Sequence, residues 1–481
     1  MNRLTLLASA AALALPISPL SAQDHSAHAG HGAAAPAPSP APTPMDHAMP
    51  GMDHSQMDHG QMDHGGQALP AQPAHTQPQV YTEPNPRYLS GCDWFIFAGS
   101  VSAKLCRPAA GSGTSRLPAL EGMMHGLHFM PGDDWMVMAH GNVTTAYTDH
   151  GGPRGDGKLY VTSMAMVSGE RQTSWGRIQL KSMFSLEPAM ANRGYPNLFA
   201  SGETAGGQPL VDRQHPHDLF MELAARVDFN LGDGSLFLYG GPVGEPALGP
   251  SAFMHRASAK YNPEPPITHH WFDSTHITYG VLTAGYAGKA FQLEASAFRG
   301  AEPDERRWNL ETPKLDSWSV RATLTPSPRW AVQASYGQIK QPEALHPGED
   351  EHRFTASAHY DNGQGISAMA AFSNKDRVPG HSLTAWLGEV NWDLDPRNSL
   401  FGRIENVAND ELFPDHHHPL HHATFRVTKF QAGYARNIPL GPVSLALGGS
   451  VSAYAKPAAL DPYYGNSPIG YTVFAKLMLG N

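Results

Sequence analysis

Between Met45 and His64 the chain reads MDHAMPGMDHSQMDHGQMDH. A Met-Asp-His unit recurs at Met45, Met52, Met57 and Met62, carrying His47, His54, His59 and His64, with Met49 added. Thioether sulfur is a soft, neutral donor suited to Cu(I), and imidazole suits copper, zinc and nickel. The stretch has no apolar run and no helical or strand period, so it has no means of building a core. It reads as an array of metal ligands on a chain, with a carboxylate beside each pair to raise the local cation concentration. The plainer alternative is a biased spacer, since His-rich tracts bind metals with little selectivity.

Further ligand clusters lie beyond this tract. Met123, Met124, His125, His128 and Met130 mix thioether and imidazole, and Met136, Met138 and His140 extend them along one face of a period-two segment. If that face is internal, these three make a soft-ligand ladder; if external, the methionines are ordinary hydrophobes. In DRQHPHD, His215 and His217 stand two apart, which in extended chain points both imidazoles to the same side. His269, His270 and His276 crowd the end of one long connection, and His416, His417, His418, His421 and His422 crowd another, DHHHPLHH. Loop polarity with Arg–Asp pairing competes with a metal site at DRQHPHD, and adventitious surface binding competes at DHHHPLHH. No nucleophile elbow, HExxH or phosphate-binding loop occurs, so the expectation is that the protein is not an enzyme.

Composition bounds what these ligands serve. The formal net charge is −10 with 16% charged residues and no basic patch, which argues against nucleic-acid binding. Residues 1–22 carry Arg3, an apolar core from Leu4 to Leu15 and a small-residue close at Leu20-Ser21-Ala22, the pattern of a secretory signal peptide. Cleavage after Ala22 would place His25 third from a free amine, a nitrogen set that suits square-planar Cu(II) or Ni(II). Residues 23–79 form a Met/His/Pro-rich linker expected to be disordered, with AAAPAPSPAPTP as a semi-stiff spacer. Residues 80–124 read as a short periplasmic segment. There Cys92 and Cys106, the two cysteines of an exported chain, suggest one disulfide.

From 125 to 481 strand-length alternation dominates. Trp318, Val320, Ala322 and Leu324 oppose Ser317, Ser319, Arg321, Thr323 and Thr325; Phe354, Ala356, Ala358 and Tyr360 oppose Arg353, Thr355, Ser357 and His359. In DLFMELAARVDFNL, Leu219, Met221, Leu223, Ala225, Val227, Phe229 and Leu231 share the apolar face. One apolar and one wet, charged face is the signature of a transmembrane β-barrel, although a soluble sandwich alternates similarly. The connections decide. Short turns near 168–174, 232–234, 287–289, 326–328, 361–365, 395–397 and 437–442 alternate with long connections near 148–156, 188–215, 241–273, 301–314, 340–350, 375–382, 409–423 and 456–468. This predicts an all-β, antiparallel up-and-down transmembrane barrel of about 16 strands (range 12–18), closed by Gly470–Leu479, with both chain ends in the periplasm.

The order of signal peptide, Met-Asp-His repeats and barrel-like region resembles the copper-resistance protein B family of Gram-negative outer membranes. The segment RGYPNLFASGETAGGQPLVDRQHPHDLFMEL (193–223) resembles instead uncharacterised exported bacterial proteins. The first resemblance implies copper bound at the Met/His tract and sequestration or export at the outer membrane. Its expected contacts are lipid, metal ions and periplasmic copper-handling proteins. Zinc or nickel remains an alternative ion. A general porin with incidental metal binding and a soluble or surface-attached β-rich binder remain alternative proteins.

Overall fold

Side chains are described for residues 108–122, 126–131, 134–421 and 423–480 of a computed structural model, together with short backbone segments between 80 and 107. The signal peptide, His25, the tract 45–64 and Met123, Met124, His125 and His422 lie outside the described residues. For Cys92 and Cys106 only the backbone is described, and it pairs them directly across a two-stranded antiparallel ladder.

Sixteen strands follow in chain order: β1 Trp135–His150, β2 Gly157–Gln172, β3 Gly176–Phe184, β4 Phe220–Leu231, β5 Gly234–Gly244, β6 Thr278–Ala287, β7 Phe291–Phe298, β8 Ser317–Ser327, β9 Trp330–Ile339, β10 Asp350–Asp361, β11 Ile366–Val378, β12 Ser382–Asp395, β13 Asn398–Asn409, β14 Phe425–Leu440, β15 Val443–Ala455 and β16 Ile469–Leu479. Each pairs antiparallel with the next, and β16 returns to β1 from Gly470↔His150 to Leu479↔Gly141, so the barrel is closed. Closure satisfies every strand edge, which is what a sheet in lipid requires. Among the described residues no helix is long and apolar enough to cross a membrane.

Alternation sets the two faces as the sequence predicts. Leu238, Val320, Leu324, Trp386 and Val451 point outward and exposed, while Arg321, Arg353, Thr355, Glu405 and Lys429 point inward and buried. The soluble-protein alternative falls here, since a continuous apolar belt around a closed wall suits lipid rather than water. Turns of two to four residues join the strands at one end, and the connections at the other end are mostly longer, up to 185–219 and 245–277. One expected long connection, 375–382, is only 379–381, because β11 and β12 stay paired as far as Asp376↔Ser382 and absorb the rest. Another departure is Met221, expected on the lipid face. It is the extra residue of a β-bulge, for β3 pairs Met183 with Glu222 and Phe184 with Phe220, so Met221 is released from the alternation and buried.

The lumen is filled. Residues 108–122, expected in a periplasmic segment, lie inside the barrel as a small hairpin of Ala109–Ala110 against Arg116–Leu117. Thr114 Oγ1 donates to Glu294, Arg321 Nη2 donates to Thr114 Oγ1 at 3.0 Å, and Lys181 Nζ donates to the Gly113 carbonyl at 2.9 Å. The stretch is rich in Gly, Ser and Ala and has no period, so its placement comes from wall side chains that satisfy its backbone. Connection 245–277 also folds inward. Arg256 Nε donates to Glu389 Oε1 at 2.8 Å, Thr268 Oγ1 to Glu405 Oε1 at 2.9 Å and Lys429 Nζ to Glu264 Oε2 at 2.7 Å. Buried charge is tolerable only when paired in this way.

At the seam, Leu127–Phe129 pairs with β1 as Leu127↔Ala139, His128↔Met138 and Phe129↔Val137. It takes up the edge of β1 just past the point where β16 ends, at Leu479↔Gly141.

Candidate functional site

Connections 185–219 and 245–277 meet inside the barrel toward the long-connection end, and their histidines meet with them. Pro216 keeps its neighbours extended, so His215 and His217 enter from the first connection. The second contributes His269 and His270 from one helical turn (His269–Phe272) and His276 from the next (Ser274–His276). All five are buried. Ring centroids stand 5.1 Å apart for His269–His276, 5.3 Å for His217–His276 and His269–His270, 5.8 Å for His215–His270 and 5.9 Å for His215–His269.

The cage is oriented from outside. His217 Nδ1 donates to Glu187 Oε2 at 2.9 Å, His269 Nδ1 to Asp273 Oδ1 at 2.8 Å and His276 Nδ1 to the Asp273 carbonyl at 2.6 Å. His215 Nδ1 lies 3.2 Å from the Pro216 carbonyl. Nε2 of His217 and His276 is buried with no hydrogen bond, and that of His215 stands 3.4 Å from Glu203 Oε1. Fixing one ring nitrogen on an oxygen and leaving the other bare is how proteins prepare a histidine to ligate metal. One ligand atom from each of His215, His269 and His270 falls within a common 4.8 Å, a spacing that could hold an ion. Gly202 forms part of the wall, at φ +114° with a Cβ position only 2.7 Å from the His270 ring, so no other residue fits there.

Charge around the cage is acidic. Glu187, Glu203, Asp218, Asp273 and Glu302 stand against Arg256 and Arg307, with Arg307 held by Glu203 at 2.8 Å and Asp218 at 3.2 Å. Burial, reinforced by Arg307 for His215 and by His269 for His276, holds those two imidazoles well below their ordinary pKa and therefore neutral. Burial opposes charge on His270 too, but Glu302, 3.3 Å away, overrides it and raises His270 to about 9.

His215, His217, His269 and His270, read as candidates from the sequence, are thus brought together, with His276. His416, His417 and His418 are not. They stay on connection 410–424, where His416 and His417 are exposed, His416 Nδ1 meets His421 Nε2 at 2.9 Å, and His418 stacks on Phe413 and meets the Tyr463 hydroxyl. His128 sits in the seam strand. Asp273 lies close in sequence to His269 and His276, but Glu187 and Glu302 were not legible, because no local spacing ties them to the histidines they orient. A second cluster, Glu343–His346–Glu411, already has Lys375 and Arg377 as cationic partners, which leaves little there for a metal to neutralise.

No known family profile matches this chain, and no curated protein matches it. Solved structures similar to it include OmpF of Salmonella typhi in complex with daunomycin (10% identity, TM-score 0.48, 72% of this chain and 98% of that one). An anion-selective porin from Comamonas acidovorans is similar at 10% identity and TM-score 0.45, over 72% of this chain and 100% of that one. The outer-membrane channel DcaP of Acinetobacter baumannii is similar at 10% identity and TM-score 0.43, over 74% and 100%.

Proposed function

We propose that the chain is an outer-membrane barrel that binds a transition metal in its lumen, with copper ahead of zinc or nickel. The observation that carries this reading is the buried cage, in which one ligand atom from each of His215, His269 and His270 lies within a common 4.8 Å, beside His217 and His276, which are fixed through Nδ1 and leave Nε2 without a hydrogen bond. Leaving such polar atoms bare in a dry site is costly unless something binds them. Imidazole alone does not separate copper from zinc. Support for copper comes from the Met-Asp-His tract of residues 45–64, similar to that of the copper-resistance protein B family, whose thioethers favour Cu(I). With β1 beginning and β16 ending at the short-turn end, the tail would lie in the periplasm, the metal role being sequestration or transfer rather than catalysis.

The test is metal content and stoichiometry of the purified full-length protein. At least one copper equivalent fewer in His215→Gln and His269→Gln than in the wild type supports the cage, and unchanged stoichiometry in both variants overturns it. Met→Leu at 45, 49, 52, 57 and 62 should remove Cu(I) from the tail alone, and cells carrying the protein without residues 45–64 should tolerate less copper. The barrel by itself supports a broader reading, an outer-membrane channel for another solute. That reading expects metal-independent conductance and equal tolerance with and without the tract.

A further inference from the structure

Beneath the cage a cavity of about 200 Å³ runs from Asn437 and Gly480 at the short-turn end up to His217. That is room for on the order of ten waters. Its wall is unusual in its sulfur. Met164 of β2, Met221 of the β4 bulge, Met254 of connection 245–277 and Met478 of β16 line it, and Met138, Met166 and Met183 share one packed cluster with the first three. By contrast, the inward faces of β7 and β8 carry Gln292, Glu294, Ser296, Ser319, Arg321 and Thr323.

A hydrophobic cluster alone would not require a ligand, since methionine also fills irregular cores. The second observation is His255. Its ring lines the cavity beside Met254, and neither Nδ1 nor Nε2 has a hydrogen-bond partner although both are buried. Burial also holds this imidazole neutral, at about 3. An imidazole with two bare nitrogens next to several thioethers is a neutral, soft donor set. Glu121, Glu187 and His140 line the same cavity, so the preference for a monovalent d10 ion rests on the thioethers, which Ca(II) and Mg(II) do not favour.

We infer that this cavity is a binding station for Cu(I), built from Met164, Met221, Met254 and His255, through which the ion passes between the short-turn end and the histidine cage by way of His217. The inference rests on the metal reading of the cage and adds to it an oxidation state, a direction of approach and a second site. His217 is shared, since it lines the cavity and stands 5.3 Å from His276 in the cage. The ion keeps its charge throughout, so no electron donor or acceptor is needed.

Ag(I), a redox-inert substitute for Cu(I), is the probe. Crystals of the full-length protein grown with silver should show an anomalous peak among Met221, Met254 and His255. In solution, the Met164→Leu/Met221→Leu/Met254→Leu variant should bind at least one silver equivalent fewer than wild type, with the tail contributing equally to both. Cu(II) binding at the cage should be unchanged in that variant. Met254→Leu alone, in a partly buried loop position, should weaken silver binding at least tenfold and guards against misfolding of the triple variant, which heat-modifiable migration on gels would report. No silver at this wall, or equal stoichiometry and affinity in the variants, overturns the inference. Silver at the wall with a cage that takes no Cu(II) or Zn(II) would overturn the cage reading and leave the thioether site standing.

Discussion

His217 gives its Nδ1 proton to Glu187 Oε2 at 2.9 Å, and the same oxygen accepts the His217 backbone N–H at 3.0 Å. One carboxylate thus fixes both the ring and the chain that carries it, and Nε2 is left facing the cage. Replacing Glu187 by Gln keeps the shape and removes the charge that holds the tautomer. Loss of such an orienting partner typically weakens a metal site about 10–100-fold. A chelator-competition titration with Cu(II) or Zn(II) should show that loss, with barrel folding intact.

Metal entry should expel a proton. His270 is raised to about 9 by Glu302, above the ordinary value near 6.5, so it is protonated at pH 7 in the metal-free protein. The stabilisation its ion pair contributes is complete below about 6.5 and fades as pH rises through 9. Ligation needs the neutral ring, so affinity should rise about tenfold per pH unit between 7 and 9 if one proton is displaced. Calorimetry in buffers of different ionisation enthalpy would count that proton. His270→Gln should flatten the pH dependence.

Arg321 is a junction. It donates to Glu294 at 3.0 Å, to Thr114 of the inserted hairpin at 3.0 Å and to the Gly249 carbonyl of the inward connection at 3.0 Å. Truncating one partner of a buried ion pair costs about 3–5 kcal/mol because the other charge is stranded. Arg321→Ala is therefore expected to loosen both lumenal segments. Planar-bilayer recordings should show low conductance for the wild type and larger, noisier currents for the variant. Identical recordings would mean that the hairpin does not block the lumen.

Outward positions should behave as lipid contacts. Leu238, in the middle of β5 and half exposed, is expected to lose about 2–4 kcal/mol of folding stability on change to Arg if it lies near the bilayer midplane. Ser319→Ala, on the inner face of β8, should change little. Urea titrations of the barrel refolded in lipid vesicles would measure both.

Much of the wall was legible because a strand with lipid on one side and polar contents on the other must alternate. Trp318, Val320 and Leu324 against Ser319, Arg321 and Thr323 state the barrel in a single segment. The alternation of turn length gave sixteen strands. Met221 escaped because a bulge breaks the period at one residue, and nothing local announces it. The lumen's contents escaped for a different reason: residues 108–122 have no pattern, and what holds them is supplied by Glu294, Arg321 and Lys181 far along the chain. Four cage histidines were readable as local pairs, but that the two pairs face each other depends on two connections folding inward together. The methionine cluster was half readable, since Met164 and Met166 alternate within β2 as Met136 and Met138 do within β1.

The seam carries a consequence for how this chain can be cut. Because Leu127–Phe129 covers the part of β1 that β16 does not reach, the segment leading into the barrel is also its last stave. A truncation that starts at Trp135, the natural choice for isolating the wall, would bare Val137–Ala139 as an open hydrogen-bonding edge. Such an edge recruits the next available strand, so that fragment should self-associate where a longer one starting at residue 80, whose Val80–Tyr81 pairs with Leu127–Phe129 in turn, does not.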